Sequence, residues 1–371
     1  MKIIIAPDSF KNALRNTEVA QALTEGWRRI RPADDVLQFP LSDGGEGFCL
    51  ALQSSGKWER IVVDAHDPLM RPMKAEALIS LDGETAALEL AAASGLELLR
   101  RDELSPLTAT TYGTGEILRQ LLERGVHRIF MGIGGSATTD GGAGIFQALG
   151  GVLRNAAGEK IVVSGGGALP EVCSLDEAPV RERLRGVQVI VACDVTNPLC
   201  GPRGSAAVFS PQKGASIEDV ACLEQALRHW GVLWKDDGRF AGAGAAGGVG
   251  FLLRMLGAEL VPGASAMIRA TGLDEALKGA DWLLTGEGRS DAQTLDGKLC
   301  AVVAQMGRKC GVRTALLSGA IADTAALAAS FDDMVAISRN EPTLQAALAN
   351  TARNLAAAAA EMARRLTAPG R

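Results

Sequence analysis

The sequence predicts an α/β protein in which a second α/β domain is inserted into a domain built on a parallel, doubly wound sheet. Two observations predict the parallel sheet: a strand–loop–helix pattern occurs twice at the start of the chain, and a strand–helix rhythm returns from about residue 280. The segments after residue 57 alternate in hydrophobicity, as antiparallel strands do, which predicts the insertion. We expect a discontinuous domain of residues 1–60 and 280–371, and an inserted domain of residues 61–279.

The first elements follow the order that a parallel sheet requires. Residues 2–6 form a β-branched run of the kind buried in such sheets, and they lead to a polar loop and a helix capped near residue 16. A second strand over residues 36–41 ends in a loop, residues 42–47, that combines two carboxylates with three glycines. Another helix, to about residue 55, completes the pattern.

The middle of the chain is predicted to begin with antiparallel strands and to return to alternating strands and helices. The predicted strands are residues 59–65, 71–80, 85–90, 127–132 and 187–192. One predicted helix ends near residue 124, and another spans residues 217–233.

The tail restores the parallel pattern. We predict a strand from residue 281, a helix over residues 297–310, strands over residues 314–317 and 334–337, and a closing helix over residues 344–366. These elements are expected to complete the N-terminal sheet.

Composition narrows the class of partner. The net charge is −5 and no Lys/Arg-rich run occurs, which argues against nucleic acid. The seven cysteines form no C-x-x-C pair, which favours a reducing compartment without disulfides or structural zinc. The apolar N-terminal run is too short for a signal peptide, and no run reaches the ~18 residues that span a membrane. We expect a cytoplasmic protein, monomeric or homodimeric, with a small-molecule partner.

Residues 129–144, IFMGIGGSATTDGGAG, have the composition of a phosphate-binding loop. An apolar strand leads into six glycines interleaved with hydroxyls and one carboxylate. Glycine lets backbone N–H groups approach an anion, while hydroxyls and carboxylates can bind phosphate or its magnesium ion. A tight structural turn is the alternative. The expected nucleotide-binding residues, including a cation and a second glycine run, are Gly134, Gly135, Ser136, Thr138, Thr139, Asp140, Gly141, Lys213, Gly244 and Gly247.

Several enzyme classes fit poorly. The chain has no G-x-x-x-x-G-K-[ST], so it is not a P-loop nucleotidase, and no G-x-S-x-G, so hydrolase chemistry is disfavoured. Residues 132–137 match the dinucleotide fingerprint G-x-G-x-x-A, but Asp140 would repel a pyrophosphate at the start of the following helix. A dehydrogenase is therefore the weaker alternative.

Carboxylates follow predicted strands in five loops. One such loop is ordinary turn chemistry, but several converging loops could hold Mg²⁺ and accept the proton of a substrate hydroxyl. We expect Asp43, Glu46 and Asp140 as metal ligands. The expected catalytic residues are Asp8, Lys11, Asp194, Glu287, Arg289 and Asp291. Arg289 is the preferred clamp for a substrate carboxylate, and surface ion pairing is its alternative role.

Motifs along almost the whole chain resemble those of the bacterial type I glycerate kinases (glycerate 2-kinases): IIIAPDSFKNAL, LSDGGEGF, LELAAASGL, TTYGTGE, GIGGSATTDGGAG, ACDVTNPLCGPRGSAAVFSPQKGA and LLTGEGRSDAQTLDGK. One departure is the Arg-Phe pair at residues 239–240, where the family tends to have Val-Pro.

This resemblance implies a kinase that uses ATP and Mg²⁺ to phosphorylate D-glycerate, usually on the 2-hydroxyl, in glyoxylate, glucarate or allantoin catabolism. It also implies a Rossmann-like or flavodoxin-like domain with an inserted α/β domain and an active site in the cleft between them. The alternative from another class is a non-catalytic binder of small acids or nucleotides.

Overall fold

The structure is a computed structural model that describes residues 1–10, 12–41, 48–53, 56–295, 298–322 and 324–366. Within these ranges the strands are β1 (Lys2–Ile5), β2 (Asp35–Gln38), β3 (Trp58–His66), β4 (Pro72–Ser80), β5 (Thr85–Glu89), β6 (Arg128–Gly132), β7 (Val152–Arg154), β8 (Lys160–Ile161), β9 (Ser174–Asp176), β10 (Gln188–Ala192), β11 (Glu259–Val261), β12 (Trp282–Ser290), β13 (Arg313–Ile321) and β14 (Asp333–Ala336).

The helices of the described residues are α1 (Asn16–Arg28), α2 (Phe48–Gln53), α3 (Ala91–Ser94), α4 (Tyr112–Glu123), α5 (Ala143–Ala148), α6 (Ala178–Arg183), α7 (Ser205–Phe209), α8 (Ile217–Trp234), α9 (Val249–Met255), α10 (Gly263–Thr271), α11 (Leu273–Leu277), α12 (Leu299–Lys309), α13 (Thr324–Leu327), α14 (Leu344–Ala349) and α15 (Thr351–Arg365). Short 3-10 turns connect several of them.

The chain divides into two compact units. Unit 1 comprises Met1–Asp43, Leu50–Lys57 and Met267–Arg371, and unit 2 comprises Gly44–Cys49 and Trp58–Ala266. Both ends of the chain therefore belong to unit 1, while unit 2 is almost continuous in sequence.

The sheet of unit 1 is parallel, and its strands lie in the order β2-β1-β12-β13-β14. The first and last parts of the chain thus share one sheet, as the returning strand–helix rhythm predicted. Ile3, Ile4 and Ile5 are fully buried, as expected for a strand covered on both faces. The direction of strand order reverses between β1 and β12, which makes their carboxyl ends the switch point at which open α/β sheets bind ligands.

Helices cover both faces of this sheet. Leu317 packs with side chains of α1 and α15, including Trp27 and Met362, on one face. The adjacent residue of β13, Leu316, packs with Cys300 and other side chains around α12 on the opposite face. The alternation of neighbouring residues between two apolar layers confirms the doubly wound arrangement that the sequence predicted.

The main sheet of unit 2 is mixed, with strand order β3-β4-β5-β6-β10-β11. The β3–β4 and β4–β5 pairs are antiparallel, as the alternating pattern predicted, and the β5–β6, β6–β10 and β10–β11 pairs are parallel. A second, smaller sheet has the strand order β8-β7-β9, and its strands fall between β6 and β10 in the sequence. The core of this unit includes Phe146, Trp230 and Phe251, all fully buried.

Three predicted boundaries differ from the structure. β12 continues to Ser290, and it pairs with β13 as far as Ile321, so most of the loop predicted after residue 285 is strand. Glycine permits this close pairing, because a Cβ at Gly286 would overlap the backbone carbonyl of Leu317. The closing helix is two helices, α14 and α15, on either side of Asn350. The first helix begins after Arg15, whose N–H donates to Glu18.

Candidate functional site

The parallel strands of unit 2 end at one edge, and the predicted glycine loop lies there after β6. Gly134 and Gly135 are exposed, whereas residues 136–144 are buried. Gly135 has a φ of +69°, a conformation that favours glycine. The N–H of Leu96 donates to the Gly135 carbonyl at 2.8 Å, which ties the turn to the segment after α3. Only the Gly134–Gly135 turn of this loop therefore offers its backbone to a ligand in solution.

Asp140 orders the buried part of the loop. Its fully buried Oδ2 accepts the N–H and the hydroxyl of Thr111, both at 2.8 Å, and the N–H of Gly144 at 3.2 Å, while Oδ1 accepts the N–H of Gly142 at 3.0 Å. Burial raises the pKa of the carboxyl group, and these hydrogen bonds oppose that shift. The sequence pointed to Asp140 but missed Thr111, which entered only as part of the motif TTYGTGE.

Lys213 holds the same loop from the other side. Its fully buried Nζ donates to the carbonyl of Thr138 at 2.5 Å and approaches the Ser136 hydroxyl at 3.5 Å. Burial lowers the pKa of the amine to about 7, and the charge of Asp140 opposes this shift. The predicted cation is thus directed at the loop backbone, and it stabilises the loop from within the protein.

The predicted hydroxyl ligands have partners inside the loop. Ser136 Oγ lies 3.0 Å from Thr138 Oγ1, and Thr139 Oγ1 lies 3.0 Å from the hydroxyl of Ser210. All four side chains are buried. These contacts account for the shape of the loop. A direct contact of Ser136, Thr138 or Thr139 with phosphate stays a prediction.

The second glycine run packs against the first. Gly141 N–H donates to the Gly247 carbonyl at 2.9 Å, and a Cβ at Gly247 would overlap the carbonyl oxygen of Thr138. A Cβ at Gly244 would likewise overlap the carbonyl of Pro198. Close packing of two loops is therefore sufficient reason for these glycines, and nucleotide contact by Gly244 and Gly247 stays a prediction.

Asp194 also follows a parallel strand of unit 2. It comes two residues after the end of β10, and its Oδ1 accepts the N–H of Gly263 at 2.9 Å, just beyond β11. The carboxylate therefore links the ends of two neighbouring strands at the same edge as Gly134.

In unit 1, Asp8 and Glu287 lie at the switch point of the parallel sheet. The N–H of Asp8 donates to the Gly286 carbonyl at 2.8 Å, which places the loop after β1 directly beside residue 287 of β12. Both carboxylates lie close to the buried thiol of Cys300, whose pKa is raised by burial and then by the charges of Glu287 and, less strongly, Asp8. The sequence predicted both residues, and the topology brings them together.

Buried hydroxyls hold Glu287. Its Oε1 accepts from Ser290 Oγ at 2.8 Å and from Thr294 Oγ1 at 2.7 Å, and Ser290 Oγ lies 2.5 Å from Ser318 Oγ. The sequence analysis missed these three residues. A row of Ser and Thr close to Glu287 in the sequence was a signal for two of them, but Ser318 becomes a neighbour only through the β12–β13 pairing.

Arg289 lies on β12, opposite Ala320 of β13, and not on a loop beyond the strand as predicted. Its side chain is 71% exposed, and its Nε lies 3.8 Å from Oδ2 of Asp291. At this distance the pair is a weak surface contact. Arg289 therefore keeps an exposed guanidinium near the carboxyl end of β12.

The predicted residues Lys11, Asp43 and Glu46 lie outside the described residues, so two of the three predicted metal ligands have no structural account here. Among the residues that are described, no group of three or more His, Cys, Asp or Glu side chains could hold a metal ion. Nor is any helix among those described residues both long and apolar enough to cross a bilayer.

Comparison with known proteins gives consistent matches along the chain. The family model described as the glycerate kinase family matches residues 3–367. A glycerate kinase of Bacillus subtilis strain 168 is 43% identical over 330 residues, which cover 86% of this chain and 85% of that protein. A glycerate 2-kinase of Escherichia coli K12 is 42% identical over 329 residues, which cover 87% and 86%.

A crystal structure described as glycerate kinase 2 of Salmonella typhimurium LT2 superposes with a TM-score of 0.88 at 40% identity. The match covers 98% of this chain and 97% of that one. The mixed α/β architecture with largely parallel sheets is therefore shared with a solved structure.

Proposed function

This chain belongs to the glycerate kinase family, and from that premise we propose that it transfers the γ-phosphoryl group of ATP to the 2-hydroxyl of D-glycerate, with Mg²⁺. The observation that carries the proposal is the family match over nearly the full chain, together with two carboxylates at the switch point of a parallel sheet. The choice of the 2-hydroxyl is supported by the E. coli relative, which is named glycerate 2-kinase.

Phosphoryl transfer needs little covalent chemistry from a protein. It needs the reactants in line, cations or N–H groups on the phosphate oxygens, and an acceptor for the proton of the attacking hydroxyl. We assign the last role to Glu287, because it lies at the switch point and its carboxylate is held by hydrogen bonds on one oxygen. Arg289, exposed two residues further along β12, is the proposed cation for the glycerate carboxylate.

In unit 2, the exposed Gly134–Gly135 turn is the proposed contact for ATP phosphate, through its backbone N–H groups. Asp140 and Lys213 then act by ordering the turn from beneath, since both are buried and bonded to the loop. This assignment replaces our expectation of Asp140 as a metal ligand with a positioning role.

A carboxylate such as that of Asp8 fits Mg²⁺, which prefers oxygen ligands and is commonly bound through one or two carboxylates and the substrate phosphates. When bound, the ion neutralises charge on the phosphate oxygens. Asp43 and Glu46 stay candidate ligands on sequence grounds.

The proposal is tested by ATP consumption of the purified protein with and without D-glycerate, and by ³¹P NMR of the product. We expect ADP formation that depends on glycerate, stops in EDTA and yields 2-phosphoglycerate. Turnover that is unchanged by glycerate, or that persists fully in EDTA, would exclude the proposed activity. Formation of 3-phosphoglycerate would exclude only the choice of hydroxyl. Binding of glycerate by calorimetry without ADP formation would support a non-catalytic binder.

A further inference from the structure

Two buried hydroxyl groups bind one oxygen of Glu287, and a third buried hydroxyl group binds the first of them. Ser290 lies at the end of β12, Thr294 in the 3-10 turn Ala292–Leu295, and Ser318 on β13; all three are fully buried. Burying a hydroxyl is unfavourable unless it is hydrogen-bonded, and bonds to a carboxylate are among the stronger ones. These hydroxyls thus form a preorganised cradle around a single side chain.

The chemistry of the groups fixes the direction of each hydrogen bond. An ionised carboxylate only accepts, so Ser290 and Thr294 each direct their one hydroxyl proton to Glu287 Oε1. The oxygen of Ser290 then accepts from Ser318 at 2.5 Å, and the oxygen of Thr294 accepts from the N–H of Asp291 at 3.1 Å. Two donor chains therefore end on the same carboxylate oxygen.

The second oxygen of Glu287 is treated differently. Among the described residues, none donates a hydrogen bond to Oε2, and the side chain is partly exposed. Because β1 and β12 flank the switch point of the sheet, this oxygen lies where open α/β folds bind their ligands.

We infer that Ser290 and Thr294 are positioning residues, supported by Ser318, that fix Glu287 through Oε1 so that Oε2 meets the attacking hydroxyl. The inference rests on the proposed function for its chemical step. In that step the proton of the glycerate 2-hydroxyl passes to Oε2 of Glu287, while the hydroxyl oxygen forms a bond to the γ-phosphorus. The bond from that phosphorus to the β–γ bridging oxygen breaks, and ADP leaves with the electron pair.

The kinetic test uses near-isosteric variants. Thr294→Val removes the hydroxyl and is expected to lower kcat by about 10- to 100-fold with the KM values for ATP and glycerate changed by about twofold or less, as for a misplaced general base. Thr294→Ser keeps the hydroxyl and should restore most of kcat, and Ser290→Ala should resemble Thr294→Val. The matched control is Thr314→Val, a buried threonine at the amino end of β13.

A double-variant cycle tests whether the hydroxyl acts through Glu287. Adding Thr294→Val to Glu287→Gln should cause no further loss of kcat, because the positioned group is already absent. The inference would be overturned if both Thr294→Val and Ser290→Ala kept the wild-type kcat. It would also be overturned if Thr294→Val lowered kcat by the same factor in the wild-type and Glu287→Gln backgrounds.

A second measurement does not depend on turnover. The side-chain carboxyl ¹³C signal of Glu287, assigned by its disappearance in Glu287→Gln, should move in Thr294→Val and stay in place in Thr294→Ser and Thr314→Val. If wild-type protein shows no glycerate-dependent turnover but the signal moves as expected, the proposed function fails and the cradle stands. If the signal is the same in all variants, the cradle itself is refuted.

Discussion

At the scale of single residues, Asp140 is the clearest example of a carboxylate whose hydrogen bonds define its role. Asp140→Asn keeps the size but puts an NH₂ group where N–H and hydroxyl donors now converge. We expect the free energy of unfolding to fall by about 1–3 kcal/mol and activity by about 100-fold or more. The melting temperature checks the loss of stability. The value of kcat, measured at a temperature where the variant is folded, checks the loss of activity.

Asp67→Asn is the control for this prediction, because Asp67 is also buried in unit 2 and also accepts backbone N–H groups, at Leu69 and Arg71. It should lose stability while kcat changes little. Activity loss at an unchanged melting temperature in Asp140→Asn would instead favour direct contact of Asp140 with metal or phosphate.

Lys213 gives a prediction about pH. Its pKa in the folded protein is about 7, below the usual value of 10.5. Below pH 7 both folded and unfolded chains carry the proton, but between about pH 7 and 10 only the unfolded chain does. Unfolding then takes up a proton, so the contribution of Lys213 to the free energy of unfolding rises with pH.

Thermal melts at pH 7 and pH 9 check this sign. The difference in melting temperature between wild type and Lys213→Met should shift in favour of wild type at pH 9. Lys278→Met, at an exposed lysine paired with Glu275, should show no such shift. Identical pH dependence in wild type and Lys213→Met would contradict the prediction.

A substitution at Arg289 tests its proposed contact with the glycerate carboxylate. Arg289→Lys keeps the charge but loses the planar fork that binds a carboxylate, so we expect a rise of about tenfold or more in the KM for glycerate with little change in the KM for ATP. Arg313→Lys, at the amino end of β13, is the control because that side chain stacks on Trp282. Equal kinetics for wild type and Arg289→Lys would return Arg289 to a surface role.

Sequence reasoning selected Asp8, Glu287 and Asp140 as candidates because each carboxylate lies within a motif that follows or ends a strand. It missed Thr111 and Ser318 because their partners are distant in sequence and are set by tertiary pairing. Whether a hydroxyl group binds a ligand or another part of its own loop depends on the tertiary packing around it. The residue type alone does not specify that packing.

At the scale of elements, the two glycine loops of unit 2 act as one packed body. In Gly247→Ala the new methyl group would overlap the Thr138 carbonyl, and the φ of +71° is unfavourable for alanine. We expect a loss of at least about 2 kcal/mol in the free energy of unfolding and lower activity, because the loop ahead of Asp140 must shift.

Gly257→Ala isolates the backbone cost. Gly257 has a φ of +97° and open space around its Cβ position, so it should lose only about 1 kcal/mol and keep its activity. The comparison is made by denaturant unfolding and steady-state kinetics. Equal losses in the two variants would mean that the contact between the loops contributes nothing.

The sequence predicted β6, which precedes the first glycine loop, but gave β12 and β13 of unit 1 too short. Glycine and polar residues at 286–290 are typical of loops, and only pairing with residues 317–321 of a long neighbouring strand keeps them extended. Tertiary pairing therefore overrode local propensity at this end of the sheet.

At the scale of the whole molecule, the returning strand–helix rhythm was enough to predict that both chain ends build one sheet. It could not fix strand order, because order depends on which crossover packs on which face. Among the described residues, the buried side chains of the unit 2 core lie between Val63 and Leu256, and the partly buried ones packed against them lie between Ile61 and Leu260.

This self-contained core predicts an autonomous fragment. We expect residues 58–266, expressed alone, to show cooperative thermal unfolding by circular dichroism. Residues 1–266 should give the same transition with no second one, because β1 lacks its partner β12 and the remaining strands of its sheet, β13 and β14, are missing. A fragment 58–266 without a cooperative transition would contradict this expectation.

The interior place of β1, between β2 and β12, also affects synthesis. β1 leaves the ribosome before the rest of its sheet, yet the partner that pairs with it on one side, β12, begins at Trp282. The preceding residue, Asp281, accepts the N–H of Lys2 across a separation of 279 residues. At about 5–20 residues per second, the apolar run Ile3–Ile5 waits on the order of tens of seconds for that partner. Unit 2 can fold during translation, whereas the sheet of unit 1 can be completed only near the end of translation. Until then the apolar strand β1 is a natural client for a chaperone.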